Sequence, residues 1–453
     1  MDLVIQNGAI VTARETYKSD IAIQSGKIAA IQKHIEPAGA DTIDATGLFV
    51  LPGAVDAHVH LQTPVGKYVS ADSYESGTRA AACGGTTTVF DFCVQQVGKT
   101  FVESAQEMIK TFEKQACVDF SLHMVATDTS DGTLDQFKTI ADFGIPSFKL
   151  YMVYKGLMVD DGALAEALEK SAATGSLIAV HAENPAIIEH RTRRLLSEGK
   201  TSAWHHYESR PEFVEAEAIQ RAIHLAKAFR ARLFIVHLAC KEGLEEIRRA
   251  RSEGYDILAE TCPQYLQWDN SVYRRVDGNR YVCSPPIKGE DSRKALWEGL
   301  KNGDILTVAT DHCPFQSYEK DAGKNDFTLI PNGCMGVENM YPYMLSAANK
   351  GRISFNKAVE VCSTNPANIF GCGHRKGSLD VGKDADIVLY DPKKECTITQ
   401  GAMHSDADHT IWEGIILQGY PVMTLLRGKT VFKDGSFMGK AGNGEFVRCS
   451  IGR

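Results

Sequence analysis

Two histidines one residue apart, His58 and His60, end an apolar stretch that begins at Leu51. Residues i and i+2 of an extended strand point to the same side, so these two imidazoles can reach toward one cation. Two histidines on a half-exposed strand can equally well bind nothing. The pair therefore indicates a metal site only if further ligand-capable side chains converge on it.

Apolar, strand-like stretches recur through the middle of the chain, and each is followed by a helix-like segment. They predict eight strands, near residues 54–60, 86–93, 119–126, 147–153, 176–182, 232–239, 256–262 and 304–311. Near-continuous apolar strands that alternate with helices indicate a parallel sheet covered on both faces, and eight such units favour a TIM-type (β/α)8 barrel. Helical spacing is evident over residues 102–115 and 212–231, whereas residues 204–211 are predicted to lie in a loop.

Several predicted strands carry or finish on a residue that can bind a metal ion. Besides the first pair, they supply Lys149, His181, His237 and Asp311. The C-terminal ends of barrel strands meet at one mouth, so these side chains are expected to converge there. A single histidine at such a position is more often a hydrogen-bonded core residue. Four histidines and an aspartate at one rim favour a metal centre, with zinc best suited and manganese, cobalt and nickel as competitors.

Lys149 lies among apolar residues, with Phe148 and Leu150 on either side. Burial of an ammonium is costly, so the pKa of Lys149 should fall. The lysine could simply pair with a nearby carboxylate. A neutral amine could instead react with carbon dioxide to give a carbamate that bridges two cations. Two divalent cations, less the charges of a carbamate, an aspartate and a hydroxide, leave about one positive charge, which suits water activation and carbonyl polarisation.

Both ends of the chain are predicted to build a smaller β domain. Short apolar stretches at 3–5 and 9–12, and at 21–23 and 28–31, are separated by Asn-Gly and Ser-Gly, which favours two hairpins. Two hairpins cannot bury a core alone, and similar stretches at 385–390, 422–426 and 430–432 could complete it. We therefore expect a discontinuous β-sandwich built from residues 1–50 and 378–453, around a barrel formed by residues 51–377.

The composition is that of a globular protein, since 43% of the 453 residues are apolar and 23% are charged. The net charge of −8 argues against nucleic acid or an anionic membrane as a partner. No apolar stretch approaches the roughly 18 residues of a membrane span, and the N-terminus does not have the pattern of a signal peptide. The twelve cysteines are scattered without a Cys-x-x-Cys motif, which fits reduced thiols and a cytoplasmic location.

Taken together, the motifs resemble the dihydropyrimidinase and hydantoinase group of the amidohydrolase superfamily. The resemblance covers nearly the whole chain, with motifs in family order at 56–60, 84–88, 147–151, 180–184, 236–238, 260–265, 284–286, 309–312 and 330–333. It implies a two-metal site in which His58, His60, carboxylated Lys149 and Asp311 hold one ion, while Lys149, His181 and His237 hold the other. It also implies that Tyr154 donates to the developing oxyanion, and that backbone groups at Ser284 and Asn332 hold the ring amide.

The activity implied by this resemblance is hydrolysis of a cyclic amide in a hydantoin or dihydropyrimidine, a small cyclic ureide, to an N-carbamoyl amino acid. Asp311 would carry the proton from the attacking water to the leaving nitrogen. A homotetramer is implied as well, with the glycine-rich tail at 439–445 packed on a neighbouring subunit; by composition alone that tail would be frayed. The alternatives are an allantoinase and a non-enzymatic scaffold of the same fold, but a scaffold would not need every ligand position filled.

The residues themselves fit these implied roles. Tyr154 follows the fourth strand at the same mouth, Ser284 precedes two prolines that favour an extended backbone, and Asn332 begins an Asn-Gly turn. Each has a simpler explanation, in which the tyrosine packs and the other two shape turns. Gln62 stands where related dihydroorotases carry an arginine, which argues against an acidic substrate. Apolar residues in the loop 62–75, namely Val65, Tyr68 and Val69, could accept an apolar substituent.

The remaining histidines and Cys313 are weaker candidates. Cys313 adjoins His312, and adjacent side chains on a strand point to opposite faces, so the two are not expected to form a ligand pair. Surface positions are predicted for His190, His205, His206 and His224.

Overall fold

Seven short strands begin the fold in the computed structural model, which describes residues 1–127, 129 and 132–451. They are β1 (Leu3–Gln6), β2 (Ala9–Val11), β3 (Thr16–Lys18), β4 (Asp20–Gln24), β5 (Lys27–Gln32), β6 (Asp41–Asp44) and β7 (Phe49–Pro52). Strands β4 and β5 form the predicted hairpin, and both turn residues, Ser25 and Gly26, have the positive φ that such a tight turn requires.

The other predicted hairpin, between residues 3–5 and 9–12, is wrong. Strand β1 pairs with β4 and β6, whereas β2 pairs with β3 and β7 in a second sheet. At the intervening turn the Asn7 amide donates to Asp20 Oδ1 at 2.9 Å. A side chain at Gly8 would come within 2.4 Å of Val50, so only glycine permits this close approach. The Asn-Gly turn thus carries the chain from one sheet to the other instead of folding it back.

Eight parallel strands form the barrel, and all eight predicted strands are confirmed. With a small hairpin (β9 and β10) inserted after the first, they are β8 (Ala54–Val59), β9 (Pro64–Val65), β10 (Tyr68–Val69), β11 (Thr86–Val94), β12 (Asp119–Val125), β13 (Ser147–Tyr151), β14 (Leu177–His181), β15 (Leu233–Ile235), β16 (Ile257–Thr261) and β17 (Thr307–Val308). The eight neighbour one another in chain order from β8 to β17. A parallel bridge between Val59 and His312 closes the circle. The strand ends therefore share one mouth, as predicted.

Helices cover the outside of the barrel and fill its connections. They are α1 (Tyr74–Cys83), α2 (Phe101–Phe112), α3 (Phe137–Phe143), α4 (Asp161–Thr174), α5 (Pro185–Ser197), α6 (Ala203–Ser209), α7 (Glu212–Phe229), α8 (Lys241–Ser252), α9 (Pro263–Gln267), α10 (Glu290–Asn302), α11 (Ser317–Asp321), α12 (Met340–Asn349), α13 (Phe355–Val359) and α14 (Asn365–Ile369). Short 3₁₀ segments span Leu134–Gln136, Asn270–Arg274, Gly278–Tyr281, Phe327–Leu329 and Gln400–Ala402, and a π-helical turn spans Glu360–Thr364.

Helices α2 and α7 match the two predicted helices, but the predicted loop at 204–211 is largely wrong because α6 occupies most of it. The backbone amide of Ser202, the residue before α6, donates to Nδ1 of His205 at 3.1 Å. This capping contact uses a histidine where glutamate or glutamine is usual, so the usual capping-box pattern does not predict a helix here.

Strands from the C-terminal part complete the small β domain. They are β18 (Ile387–Thr397), β19 (Ile416–Leu426), β20 (Lys429–Lys433) and β21 (Ser436–Phe437). They extend the second sheet in the order β21-β20-β19-β18-β7-β2-β3. Buried residues of both sheets, such as Ile21 and Ile23 of one and Val50 and Leu389 of the other, pack in one apolar cluster. The expected β-sandwich built from both ends is confirmed.

The C-terminal tail packs against the N-terminal end of its own barrel. Val447 donates its backbone amide to Phe120 at 2.7 Å, and Cys449 donates to Gly144 at 2.9 Å. Both side chains are buried in a cluster that includes Phe90 and Phe370. Within the predicted tail 439–445, the amide of Gly444 donates to the Ala116 carbonyl and that of Glu445 to Asp119 Oδ1, each at 2.9 Å, so this segment packs on its own chain and is not frayed. Residues 452 and 453 of the predicted segment 378–453 lie outside the described residues.

In the part of the chain that the structure describes, no helix is both long enough and apolar enough to span a membrane.

Candidate metal centre

Three predicted ligands meet at the barrel mouth. His58 belongs to β8, His60 follows it, and Asp311 follows β17. Oδ1 of Asp311 lies 3.3 Å from Nε2 of His58 and 3.2 Å from Nε2 of His60. One ligand atom from each lies within 4.8 Å of the other two. Metal–ligand bonds to imidazole or carboxylate measure about 2.0–2.2 Å, so one cation can be shared by this group with small adjustments.

A second pair of histidines adjoins this group. The rings of His181 and His237 lie 4.5 Å apart between centroids, and His237 lies 5.4 Å from His58. Lys149 is buried beside them, with its Nζ 5.2 Å from the ring centre of Phe92, which also contacts the His58 ring. All six predicted ligands line one pocket of about 280 Å³. The structure thus brings together the whole predicted set.

Two buried carboxylates orient the histidines. Glu260 Oε1 lies 2.8 Å from Nδ1 of His58, and Glu183 Oε2 lies 2.8 Å from Nε2 of His181. Each contact occupies one ring nitrogen and leaves the other for a metal, an arrangement typical of metal-binding histidines. Neither glutamate was singled out from the sequence. The available signal was an acid within or just after an otherwise apolar strand, at 257–261 and 177–183.

Orphaned polar atoms test whether this centre fits a metal. Among the described residues, Nε2 of His58 and Nδ1 of His237 are buried and have no hydrogen-bond partner. Buried polar atoms are rarely left unpaired, and each such atom calls for a missing partner such as an ion. Burial also lowers the pKa of both histidines, so both are neutral and able to ligate. The donor set fits a divalent cation.

Lys149 has no carboxylate within ion-pair distance of its amine in the described part of the chain. Simple pairing of this lysine is therefore not observed. Burial lowers its pKa to about 8, although the charges of Asp311 and Glu260 oppose the shift. Near pH 7 about a tenth of the amine is then neutral, and the neutral amine is the form that attacks carbon dioxide.

Three functional candidates adopt a left-handed backbone. The φ angles are 79° for Tyr154, 39° for His237 and 51° for Asp311. Residues other than glycine rarely adopt this region, and such strain concentrates where a structure holds side chains for function. No local pattern predicts this conformation, because neither glycine nor asparagine occupies these positions.

The predicted substrate-binding residues line the same pocket. Asn332 Nδ2 donates to Ser284 Oγ at 2.9 Å, and the Tyr154 hydroxyl contacts the side chains of Ser284 and Arg210. Within the described ranges, the backbone amides and carbonyls of Ser284 and Asn332 form no hydrogen bonds. Burial raises the pKa of Tyr154 above its usual value, so its hydroxyl stays protonated and can donate.

Arg210 is a further residue that sequence reasoning missed. Its Nη1 donates to Glu183 Oε2 at 2.5 Å, and its guanidinium also contacts the Tyr154 hydroxyl. It thereby links the carboxylate that orients His181 to the tyrosine. The signal was weak, because Arg210 falls in the segment 204–211, which the sequence predicts to be a loop.

Some neighbouring predictions need correction. His206 is buried and not a surface residue, because its Nε2 lies 2.9 Å from the carbonyl of Cys283. His190, His205 and His224 are exposed or half-buried as expected. Of the apolar residues in loop 62–75, Val65 lines the pocket with Leu157, whereas Tyr68 and Val69 lie outside it, as does Gln62.

His312 and Cys313 do not act as a ligand pair. Nε2 of His312 lies 2.8 Å from the buried carboxylate of Asp72, and its Nδ1 accepts from the amide of Gly336. Cys313 lines the pocket, but burial and the charge of Asp311 raise the pKa of its thiol. The thiol therefore remains protonated.

A parallel barrel whose mouth holds histidines and an aspartate defines a metal-dependent hydrolase of the amidohydrolase class. The amidohydrolase family model matches residues 49–431. The D-hydantoinase of Ralstonia pickettii is 42% identical over 453 residues, or 99% of each chain. The D-phenylhydantoinase of Escherichia coli O9:H4 (strain HS) is 40% identical, over 99% of this chain and 98% of that protein. The solved dihydropyrimidinase from Brevibacillus agri NCHU1002 has a TM-score of 0.97 at 38% identity, over 100% of both chains.

The chain belongs to the amidohydrolase family and, within it, to the group of hydantoinases and dihydropyrimidinases. The resemblance inferred from the sequence motifs is thereby confirmed.

Proposed function

We propose that this protein hydrolyses the cyclic amide bond of hydantoins or dihydropyrimidines and releases N-carbamoyl amino acids. The observation that carries the proposal is the group of His58, His60 and Asp311, of which His60 is half-buried, beside His181 and His237. Relatives named D-hydantoinase and D-phenylhydantoinase align over essentially the whole chain, which supports the same substrate class here.

The proposed centre holds two divalent metal ions, with zinc as the best-suited metal. His58, His60 and Asp311 would hold one ion, and His181 and His237 would hold the other. A carboxylated Lys149 would be a ligand of both ions. When bound, the two cations supply an activated water and polarise the ring carbonyl. The lowered pKa of Lys149, with no carboxylate paired to it in the described residues, supports its conversion to a carbamate.

The residues of the chain supply positioning and proton transfer. Asp311 takes the proton of the attacking water and delivers it to the leaving ring nitrogen. The protonated Tyr154 hydroxyl donates to the carbonyl oxygen as negative charge develops on it. The free backbone groups of Ser284 and Asn332 bind the alternating donors and acceptors of the ring.

The pocket mouth favours a ring with an apolar substituent. Val65 and Leu157 line it, and among the described residues that line it there is no arginine, since Arg210 lies behind Tyr154 and pairs with Glu183. We therefore infer a preference for 5-substituted hydantoins. The exposed ammonium of Lys155 also borders the pocket, so larger substituents extend toward solvent beside it.

The test is a substrate panel with metal analysis on the same sample. Purified protein is assayed with hydantoin, 5-phenylhydantoin, dihydrouracil and allantoin, while metals are counted by mass spectrometry. We expect about two metals per chain and fastest turnover of 5-phenylhydantoin. Activity confined to allantoin would favour an allantoinase, and a metal-free protein inactive on all four would favour a scaffold.

We also propose that the protein is a cytoplasmic homotetramer. The tetramer follows from the family resemblance and is tested by sedimentation equilibrium at several concentrations. The twelve cysteines are all free, and eleven of them are buried, which supports a reducing compartment.

A further inference from the structure

Lys320 is a buried lysine on helix α11, in the connection that follows the last barrel strand. Its side chain is only 1% exposed. Nζ donates to three backbone carbonyls, those of Val282, Pro331 and Gly333, each at 2.7 Å. An ammonium has three N–H donors, so this geometry uses all of them.

Among the described residues, Lys320 has no acidic partner at contact distance. No carboxylate of the described chain lies within ion-pair distance of its Nζ, and burial lowers its pKa. A buried cation without a counter-charge is costly, and the three carbonyls offset that cost only in part. An apolar side chain could fill the same space more cheaply. We therefore expect the lysine to have a role in fixing the backbone segments whose carbonyls it binds.

The three carbonyls belong to the two segments that form one wall of the pocket. Val282 lies two residues before Ser284, and Pro331 and Gly333 flank Asn332. The segments contact each other directly, through the Gly333 amide and the Val282 carbonyl at 3.0 Å and through the Asn332 and Ser284 side chains at 2.9 Å. The ammonium thus fastens two chain segments at the point where both present free backbone groups to the pocket.

One of these contacts bears directly on recognition. The Pro331 carbonyl and the Asn332 amide belong to the same planar peptide unit. A carbonyl that accepts a hydrogen bond from a cation polarises its peptide, which makes the N–H on the other side a stronger donor. In the described structure that Asn332 N–H has no partner, and Asn332 lines the pocket. The cation therefore strengthens and aims a donor available to a ligand.

We propose that Lys320 is a positioning residue for substrate, whose ammonium locks the Ser284 and Asn332 segments side by side and polarises the Pro331–Asn332 peptide toward the ring amide. The kinetic part of this inference rests on the proposed function. Lys320 acts through the backbone and contacts none of the proposed metal ligands.

This role predicts a specific kinetic signature. The ring amide bound by Asn332 is present in both the ground state and the transition state, so weaker binding raises KM and leaves kcat nearly unchanged. Loss of one charge-assisted contact predicts an increase of about tenfold in KM. Metal content should stay the same. General unfolding would instead reduce the active fraction and hence apparent kcat.

The experiment compares Lys320→Met with the matched control Lys376→Met. Lys376 is equally buried but lies among Asp119, Asp384 and Asp386, away from the pocket. Lys320→Met should raise KM for 5-phenylhydantoin about tenfold, with kcat within about threefold and unchanged metal content. Lys376→Met should reduce stability without changing KM. An unchanged KM in Lys320→Met, or equal increases in both variants, would overturn the proposal.

Hydrogen exchange provides a second measurement that needs no substrate. Peptides that cover residues 280–286 and 328–336 should exchange faster in Lys320→Met and as in the wild type in Lys376→Met. If the wild type fails on hydantoins, the proposed function fails, and KM for whichever cyclic amide of the panel is hydrolysed takes the place of the first assay. Unchanged exchange in both peptides would show that Lys320 does not hold the Ser284 and Asn332 segments together, whatever the activity.

If Lys320→Met does not fold, chemical rescue of Lys320→Ala provides an alternative test of the ammonium. Lys320→Ala leaves space for a small amine, so n-propylammonium should lower the raised KM in a concentration-dependent manner, whereas n-propanol should not. A KM that is raised but responds to neither or to both would show that the charge is not what matters.

Discussion

Replacing Glu183 with glutamine should weaken the binding of one metal more than that of the other. Oε2 of Glu183 accepts from His181 at 2.8 Å and from Arg210 at 2.5 Å. Burial alone would raise the pKa of this carboxyl, but Arg210 and His181 outweigh burial and hold the pKa well below its usual range. The group is therefore ionised near neutral pH, and it fixes the His181 proton on Nε2.

Two magnitudes follow from this geometry. Loss of a carboxylate that orients a metal-binding histidine typically costs about 10–100-fold in metal affinity, or about 1.4–2.8 kcal/mol. The side chains of Glu183 and Arg210 are 0% and 10% exposed, so solvent screens their pairing little. Leaving Arg210 without its partner should lower the free energy of unfolding by roughly 3–5 kcal/mol.

The assay is equilibrium dialysis against a graded series of chelator concentrations, with metals counted by mass spectrometry and stability measured by urea unfolding. Glu183→Gln should fall from two metals per chain to one where the wild type still holds two. Glu290→Gln is the control, because Glu290 pairs with Arg293 on the surface and is 40% exposed. Wild-type affinity for both metals in Glu183→Gln, or equal loss of both, would refute the orienting role.

Three further predictions concern other groups. Lys149→Ala should lose both metals together with activity, and a variant that retains about two metals per chain would rule out a bridging carbamate. Asp311→Asn should lower kcat by a factor of about 10²–10⁴ because it removes the proton carrier, and near-normal turnover would exclude that role. Burial raises the pKa of Asp384, but Lys376 and Arg375 outweigh it, so the pKa lies below the ordinary value of 3.8. A depressed pKa stabilises the fold fully above pH 3.8, and this stabilisation is lost as the pH falls through the pKa of the folded state. The urea concentration at the unfolding midpoint should therefore decrease as the pH is lowered below about 4. In Lys376→Met this decrease should be less steep.

The barrel could be predicted because its strands are covered on both faces and appear as apolar stretches. Even the two-residue strand Thr307–Val308 stood out in this way. The metal ligands could be predicted because barrel topology brings strand ends together regardless of their separation in sequence. Both inferences depend on patterns that are local or fixed by the fold class.

What the sequence did not reveal depends on tertiary partners. Glu260 is 202 residues from His58, and Lys320 reaches a carbonyl 38 residues away. No local pattern distinguishes such a buried glutamate or lysine from one at the surface. The wrong hairpin has the same origin, because the Asn-Gly turn at residue 7 is typical of hairpins, while its direction is set by Asp20 and Val50.

During synthesis, the fold cannot be completed until the C-terminal tail has been made. Val447 and Cys449 cover the lower end of the barrel, so that end stays open until residue 449 has left the ribosome. The edge of β7 waits likewise, since its Pro52 pairs with Ile387, 387 − 52 = 335 residues later. At about 5–20 residues per second this delay is roughly 20–70 s, during which an unpaired strand and apolar rings are exposed to aggregation. Chaperone supply and C-terminal fusions should thus affect the yield of folded protein more than the rate of catalysis.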